Sequence, residues 1–285
     1  MDATWRLLVT EPLDGATNMA VDEALLRARI DESGAPTVRF YGWRPPTVSL
    51  GYAQPLDESV DRRRCAALGI GVVRRPTGGS AILHEQPDGE VTYSVVAREG
   101  DFPGAEDVLE TYRIVGEGLA AGLRRLGVDA QLAPLARNRR AETASDAFCF
   151  RRAGAYELAV GGRKLVGSAQ RRQRRAFLQH GSVLLDADPA RLRAVFPRES
   201  DPTSSMTTLA ETLGRSPGFD AVVAALEVGL AANLGVRLVP AGLSADEWAS
   251  VEALVAGKYG TESWTTLGRL PERTGPAGTP AVVIS

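Results

Sequence analysis

The stretch SDAFCFRRAGAYELAVGGRKLVGSAQRRQRRAFLQHGSVLLD, residues 145–186, decides the fold. Its residues 155–160, 163–169 and 176–185 are rich in apolar and β-branched side chains and predict three consecutive strands. Gly161-Gly162 separates the first two strands and predicts a tight two-residue hairpin turn. The simplest interpretation is a small-molecule site that is lined by neighbouring strands.

Few residues of this stretch are suited to chemistry, and they stand out from the composition. It holds one of the two cysteines (Cys149), one of the two histidines (His180) and one of only two lysines (Lys164). The chain otherwise uses arginine for positive charge, and an ammonium differs from a guanidinium in compactness, hydration and ease of losing its proton. Gly167 and Ser168 leave room for a ligand to approach the backbone.

The composition excludes several classes of protein. A chain of 285 residues with 44% hydrophobic residues is able to bury a substantial core. Its net charge of −2 argues against nucleic acid as the main partner. No apolar run is long enough to span a bilayer and no signal peptide is evident, so we expect a cytoplasmic protein without a membrane partner. The cysteines and histidines are not spaced as a zinc motif, and we expect no metal and no disulfide.

The remaining chain predicts an α+β protein in which helices flank the strands. We expect one catalytic domain over residues 1–269 and a flexible tail over residues 270–285. Further strands are predicted at 4–10, 37–43, 47–52, 70–75, 91–97, 128–132 and 235–239. Helices are predicted from Thr17 or Asn18 to residue 30, with Asp22 and Glu23 near the start, and at 58–68, 103–126, 189–195, 204–213, 219–234 and 245–256.

A second candidate for ligand binding follows the predicted strand at 70–75. The loop 76–80 holds Gly78-Gly79, which alone predicts only a turn. Directly after a strand, beside Arg74 and Arg75 and before His84, the loop favours an anionic or carbonyl-bearing ligand. Neither histidine has sequence neighbours that suggest a Ser-His-Asp type triad. Cys65, within a short predicted helix, is interpreted as a small core residue.

Two long motifs, in this order, resemble the lipoate–protein ligase and octanoyltransferase superfamily, whose catalytic fold is shared with biotin–protein ligases. The first is VVRRPTGGSAILH at residues 72–84, and the second is GGRKLVGSAQRRQRRAFLQHGSVLL at residues 161–185. KYGTESWT at 258–265 is similar to the family's closing Lys-Tyr…Trp motif. The loop EQPDGE at 85–90 is about three residues longer than the family pattern. The resemblance implies a mixed, largely antiparallel sheet flanked by helices.

The resemblance also implies a set of site residues. Cys149 matches the nucleophile of the cysteine-dependent, ligase-like octanoyltransferases, although a cysteine between Phe148 and Phe150 is also typical of a buried hydrophobic residue. Lys164 is the ammonium that would lower the pKa of this thiol. A substrate pocket is expected to be lined by Arg75, Gly78, Gly79, Ser80, His84, Gly167, Ser168, His180 and Gly181.

The charge distribution suggests the kind of partner. Residues 137–175 contain eleven cationic and three acidic side chains in a slightly acidic chain, and such a patch would steer an acidic protein toward the site. The resemblance implies octanoyl-acyl carrier protein as donor. It implies a lipoyl-domain protein, such as the glycine-cleavage H protein, as acceptor.

Three functions compete at this point. The first is an octanoyltransferase in protein lipoylation that acts through a cysteine thioester and needs no cofactor. An amidotransferase between lipoyl domains is its close variant. The second is an ATP-dependent lipoate–protein ligase, which needs no cysteine. The third is a binding module that has lost turnover, against which the intact Cys149 and Lys164 argue.

Overall fold

The computed structural model of the protein describes residues 3–56, 60–133, 157–197, 201 and 203–268. These residues form an eight-stranded sheet and a three-stranded sheet. The strands are β1 (Ala3–Leu13), β2 (Thr37–Trp43), β3 (Thr47–Leu50), β4 (Gly71–Arg74), β5 (Ile82–His84), β6 (Glu90–Arg98), β7 (Gln131–Leu132), β8 (Leu158–Val160), β9 (Arg163–Gln173), β10 (Ala176–Leu184) and β11 (Val236–Pro240).

Helices pack around both sheets. They are α1 (Gly15–Ile30), α2 (Arg62–Ala67), α3 (Val108–Arg125), α4 (Pro189–Val195), α5 (Leu209–Leu213), α6 (Phe219–Leu234), α7 (Ala245–Leu254) and α8 (Glu262–Leu267). A π-helical turn, Val255–Tyr259, follows α7 directly. Among the described residues no helix is long and apolar enough to cross a bilayer.

The large sheet has the order β11-β1-β2-β6-β10-β9-β8-β7. β1 is parallel to both β11 and β2, whereas the other neighbours are antiparallel. The predicted fold class, a mixed and largely antiparallel sheet flanked by helices, is therefore confirmed.

The predicted hairpin at the centre of the chain is also confirmed. Val160 pairs with Arg163 across Gly161 and Gly162, whose φ angles are +57° and +79°. Positive φ at both central residues is the requirement of the two-residue turn that matches the twist of a hairpin. β9 continues beyond the predicted end at residue 169, because its pairing with β10 runs on to Gln173.

The small sheet has the order β4-β3-β5 and was not anticipated as a separate layer. Pro45 and Pro46 separate β2 from β3, and β3 lies outside the large sheet and pairs in parallel with β4. α2 and α4 cover the outer side of the small sheet, where the buried Cys65 belongs to a hydrophobic cluster with residues of β3 and β5. Its expected place in the core is confirmed.

α3 and α6 cover one face of the large sheet and α1 covers the other. α3 and α6 approach each other so closely that a Cβ at Gly229 would lie 2.3 Å from the Gly118 carbonyl oxygen. Glycine is required there because any side chain would separate the two helices.

The predicted starts of two helices were wrong because other residues than expected cap them. α1 begins at Gly15 because the Asp14 side chain accepts from the Thr17 amide, so neither Thr17 nor Asn18 is the cap. α3 begins at Val108, after the cap Asp107, and not at residue 103. Helical spacing predicts that Val108 lies on the apolar face of this helix, but this residue is 44% exposed.

Other differences concern length. The described part of the predicted helix 58–68 is α2, which begins at Arg62, and residues 57–59 lie outside the described residues. α5 covers only 209–213 of the predicted 204–213, and β7 covers only two residues of 128–132. The predicted loop 136–144 and the predicted tail 270–285 lie outside the described residues. The single domain over residues 1–269 stays a prediction.

Candidate active site

A cavity that opens to solvent lies between the large and the small sheet, with a volume of about 440 Å³ including its open mouth. Its apolar wall consists of Met19 from α1, Tyr41 and Trp43 from β2, and Ile82 from β5. Seven of the nine predicted pocket residues line this cavity: Arg75, Gly79, His84, Gly167, Ser168, His180 and Gly181. The other two, Gly78 and Ser80, belong to the same loop as Gly79.

The strand register explains why residues distant in sequence meet here. Gly167 pairs with Ser182 and Ser168 with Gly181 across β9 and β10. At Gly181 a Cβ would lie 2.3 Å from the Gly167 carbonyl oxygen and 2.8 Å from the Tyr93 ring. Gly167 and Gly181 both line the cavity, and a side chain at Gly181 would not fit. Whether a ligand approaches the backbone at Gly167 stays a prediction.

The loop 76–80 is held from beneath by Arg75. Its guanidinium donates to the carbonyl oxygens of Ser49, Gly78 and Ser80 at 2.6–3.2 Å. Arg75 thus lines the cavity and shapes the loop through backbone contacts. Whether it also binds a ligand stays a prediction.

Arg74 contacts a different part of the chain from Arg75. It donates to the carbonyl oxygens of Trp264, Thr265 and Thr266 at the end of α8. It also donates to carbonyl oxygens of residues 51, 52 and 54. A cation at a helix C-terminus is favourable, and the contacts make Arg74 a link between the C-terminal helix and the loop after β3.

His180 lies on the cavity wall within a buried polar network. Its Nδ1 lies 3.0 Å from Oδ2 of Asp22 on α1, and its Nε2 lies 2.7 Å from Oγ1 of Thr77. Asp22 also accepts from Arg39 Nη1 at 2.9 Å and from the Tyr41 hydroxyl at 3.0 Å.

The charge state of this network follows from its contacts. Burial raises the pKa of Asp22, but the hydrogen bond from His180 and the charge of Arg39 outweigh burial, so the pKa lies below its ordinary value. Burial lowers the pKa of His180, against the opposing effect of Asp22. A neutral imidazole therefore lies beside an ionised carboxylate.

His84 forms a second, similar pair. Its Nδ1 lies 2.8 Å from Oε1 of Glu90, and its Nε2 lies 2.8 Å from the Ser49 hydroxyl. The imidazole stacks on Trp43 with ring centroids 3.9 Å apart. Glu90 also accepts from the Thr92 and Ser182 hydroxyls. Each histidine thus has a buried carboxylate partner, which lies 158 positions away for His180 and six positions away for His84.

Lys164 is 2% exposed and its Nζ lies 2.7 Å from Oε1 of Glu157. The same carboxylate oxygen lies 3.4 Å from the amide nitrogen of Ser168, a residue of the cavity wall. Lys164 is not itself among the lining residues. It is connected to the cavity through Glu157. Cys149, the predicted nucleophile, lies outside the described residues.

Part of the predicted arginine patch has structural partners. Arg172 donates to the carbonyl oxygens of residues 105, 106 and 107 before α3 and lies over the Phe177 ring at 5.1 Å. Arg171 donates to the Pro76 carbonyl oxygen, and Arg175 pairs with Glu99. Reversing the charge of Arg171 or Arg172 would break these contacts, so neither is a surface charge alone.

Cys65 is the cysteine within the described residues, and its surroundings are not those of a nucleophile. Burial and the nearby charge of Asp61 raise the pKa of its thiol to about 11. A thiol with such a pKa is almost fully protonated at neutral pH and is unreactive.

Four residues of the site were missed: Asp22, Glu90, Glu157 and Thr77. Asp22 was assigned only as an acid near the start of a helix, and it is fully buried. One signal was available, because Asp22 follows Asn18 and Met19 by four and three residues and so shares their helix face. Among the described residues, no group of three or more His, Cys, Asp or Glu side chains could hold a metal ion.

Comparisons with known proteins agree with this architecture. Residues 14–231 match the family model of the lipoyl protein ligase A/B catalytic domain. Octanoyltransferase LipM of Kyrpidia tusciae is 46% identical over 92% of this chain and 98% of its own length. Octanoyltransferase LipM of Bacillus subtilis is 36% identical over 92% and 97%.

Solved structures give the same family. A lipoate-protein ligase A bound with ATP has a TM-score of 0.76 at 26% identity, covering 93% of this chain and 99% of that one. A bi-partite lipoate protein ligase from Thermoplasma acidophilum has a TM-score of 0.76 at 25% identity, over 95% and 99%. The chain therefore belongs to the lipoyl protein ligase A/B catalytic domain family, among its octanoyltransferases.

Proposed function

We propose that this octanoyltransferase moves octanoyl from octanoyl-acyl carrier protein to a lysine of a lipoyl-domain protein through a thioester on Cys149. The contact of buried Lys164 with Glu157, which reaches the Ser168 amide in the cavity wall, is the observation that carries this proposal. The contact supports the proposal because the Lys164 ammonium lies close to the cavity wall, with only the Glu157 carboxylate between them.

The proposed reaction has two steps. The Cys149 thiolate attacks the thioester carbonyl of the donor, a new C–S bond forms, and the carrier thiolate leaves with the electrons of the old C–S bond. The neutral acceptor amine then attacks the same carbonyl carbon, a C–N bond forms, the C–S bond breaks with its electrons on the Cys149 sulfur, and the proton that the nitrogen loses passes to that thiolate or to solvent. A positive charge at Lys164 favours the thiolate in both steps.

The acyl chain is assigned to the cavity between the two sheets. The apolar wall of Met19, Tyr41, Trp43 and Ile82 supports this assignment, because each buried methylene contributes about 0.8 kcal/mol. Arg75, Gly78, Gly79, Ser80, His84, Gly167, Ser168, His180 and Gly181 are proposed to surround the bound acyl group.

The acceptor is proposed to be a lipoyl domain, such as that of the glycine-cleavage H protein. The bi-partite ligase from Thermoplasma acidophilum is described together with its E2 lipoyl domain, which supports an acceptor of this kind. An amidotransferase that takes octanoyl from one lipoyl domain to another would use the same residues.

An ATP-dependent ligase is the second candidate. The likeness to a lipoate-protein ligase A bound with ATP supports it. The two candidates differ in the source of activation, because a ligase makes an acyl adenylate whereas the transferase receives a thioester that is already activated.

Intact-mass measurement after incubation with octanoyl-acyl carrier protein, without ATP, distinguishes them. We expect an octanoyl adduct on the wild-type chain that hydroxylamine removes and that Cys149→Ala lacks. Addition of a lipoyl domain should discharge the adduct. Transfer that requires ATP, or an adduct that persists in Cys149→Ala, would assign the chain to the ligases.

A further inference from the structure

The cavity between the two sheets runs across the strands of the large sheet. Four residues that line it are paired side by side on four neighbouring strands: Tyr41 on β2, Thr92 on β6, Ser182 on β10 and Gly167 on β9. Neighbouring strands lie about 4.8 Å apart, so this row is about 14 Å long. The row forms the floor of a groove whose direction is set by the strand register.

The two ends of this groove differ in their access to solvent. The lining residues that are at least partly exposed lie in the loop 76–80, on β9 and on β10: Gly79, Ser168, Ala169 and Gly181. The lining residues on β2, β6 and α1 are all buried. The groove therefore opens beside β9 and is closed beside β2. An acyl chain on a carrier protein must enter with its methyl end first, because the carrier is far too large for the cavity.

The hydroxyl groups along the floor do not require a polar ligand. Ser182 and Thr92 both donate to Oε1 of the buried Glu90, and the Thr92 oxygen also accepts from the Trp43 indole at 2.7 Å. These groups find their hydrogen-bond partners within the protein. The inner part of the groove is therefore suited to a hydrocarbon chain.

Three side chains close the groove at the β2 end: Tyr41, Trp43 and Met19. Hydrogen bonds fix the two rings, because Tyr41 donates to Asp22 at 3.0 Å and Trp43 donates to Thr92. Met19 on α1 is 1% exposed and belongs to the same hydrophobic cluster as both rings, but its thioether is only a weak acceptor. Replacing Met19 thus changes the size of the end wall without leaving a buried polar group unpaired.

We propose that Met19 limits the length of the acyl chain that this enzyme transfers. Its side chain meets the methyl end of the chain at the closed end of the groove, and the carbonyl stays at the open end. The inference rests on the proposed function, since the acyl chain is assigned to this cavity. It adds the direction in which the chain lies and the residue that determines specificity for its length.

The test is a competition between two chain lengths. Octanoyl- and decanoyl-acyl carrier protein are mixed in equal amounts with enzyme and a lipoyl domain, and the two products are quantified by intact mass. Their ratio equals the ratio of kcat/KM values and does not depend on the fraction of enzyme that is folded. Met19→Ala shortens the side chain, whereas Met19→Leu nearly keeps its volume.

Leu25→Ala is the matched control. Leu25 lies on the same helix and is 2% exposed, but it is not among the residues that line the cavity. Its truncation loosens the packing of α1 to a similar degree as Met19→Ala and leaves the end wall of the groove in place. A change of the product ratio that comes from a loosened helix would appear in both variants.

We expect wild type and Leu25→Ala to favour octanoyl by at least about tenfold, since one methylene in a hydrophobic pocket changes specificity roughly 10- to 200-fold. Met19→Ala should shift the ratio toward decanoyl by at least about tenfold, and Met19→Leu should keep it. A smaller shift in Met19→Ala, an equal shift in Leu25→Ala, or a wild type without preference overturns the proposal. Where Met19→Ala does not fold, Met19→Val decides, with a required shift of about threefold.

Failure of the proposed function gives a different result. A wild-type enzyme that forms neither product without ATP does not transfer acyl groups from the carrier protein. The same competition is then run with free octanoate, free decanoate and ATP. The product ratios of Met19→Ala and Leu25→Ala confirm or overturn the role of Met19 by the same criteria, whichever donor the enzyme uses.

Discussion

The chain contains two lysines, Lys164 on β9 and Lys258 in the π-helical turn, and their immediate surroundings are alike. Both are buried, and each donates to a buried glutamate, Glu157 at 2.7 Å and Glu23 at 2.6 Å. The two glutamates differ in their other contacts. Glu157 reaches the Ser168 amide in the cavity wall, whereas Glu23 lies on α1 and accepts from Tyr259.

Lys258 joins the C-terminal elements to the body of the fold. Its Nζ lies over the Trp264 ring at 4.0 Å, and Tyr259 donates to the same glutamate oxygen. Burial raises the pKa of Glu23, but the charge and hydrogen bond of Lys258 outweigh it, so the pKa is lowered. This is the arrangement of a structural ion pair with a cation–π contact.

The two lysines show that the rarity of a residue type does not by itself identify a functional residue. In an arginine-rich chain, a lysine marks a position where a compact ammonium fits and a planar guanidinium does not. That argument applies equally to both lysines. They differ because the glutamate partner of Lys164 contacts the cavity wall and the glutamate partner of Lys258 does not line the cavity. The sequence argument for Lys164 was therefore incomplete without Glu157.

The largest expected effect is on activity. Lys164→Arg keeps the charge but enlarges the group beside Glu157, and we expect octanoyl transfer to fall at least about 100-fold. Lys258→Arg should transfer within about threefold of wild type. Steady-state transfer rates, normalised to folded protein by thermal unfolding, provide the measurement. Equal losses in the two variants would remove the proposed distinction.

The next effect is on stability. Lys258→Met leaves Glu23 buried without its main cation, and we expect the free energy of unfolding to fall by about 3 kcal/mol, as for other broken buried pairs. Urea unfolding gives the value. The double variant Lys258→Met with Glu23→Gln should recover part of the loss, because no buried charge then lacks its partner. A double variant as unstable as the single one would argue against a charge effect.

The sequence predicted those features of the structure that depend on local contacts, and it did not predict those that depend on contacts between distant residues. The turn at Gly161-Gly162, the strands on either side and α4 and α6 were predicted closely, because glycine φ preferences and apolar periodicity act over a few residues. Pocket residues came from motifs and gather around one cavity as expected. Whether they bind substrate stays a prediction.

The partners of those residues could not be predicted. Asp22 and His180 are 158 positions apart, and their contact depends on α1 packing across the large sheet. Likewise, no local pattern indicates that β3 leaves the large sheet and forms the cavity roof with β4 and β5. Caps were missed because several polar residues near a helix start compete, and small differences in backbone geometry decide which one bonds.

A smaller effect concerns pH. The folded-state pKa of Glu23 lies below its ordinary value, so the unfolded chain binds a proton first as the pH falls. The stabilisation by this pair is fully present above the unfolded pKa of about 4.5 and is lost as the pH falls through the folded pKa. The free energy of unfolding, measured from pH 6 to pH 3, should decline less steeply in Lys258→Met. An unchanged slope would contradict the pairing.

The smallest expected effect tests whether the residue type of a cation or its burial determines how much it stabilises the fold. Arg27 pairs with the other oxygen of Glu23 at 2.6 Å, but its side chain is 54% exposed. Arg27→Lys adds a third lysine next to the same glutamate, in a place where solvent screens the charge. Exposed pairs contribute at most about 1 kcal/mol, so we expect the free energy of unfolding to change by less than about 0.5 kcal/mol. Transfer should be unchanged. A loss comparable to that of Lys258→Met would show that Glu23 depends on its exposed partner, and burial would then not explain the difference between the two cations.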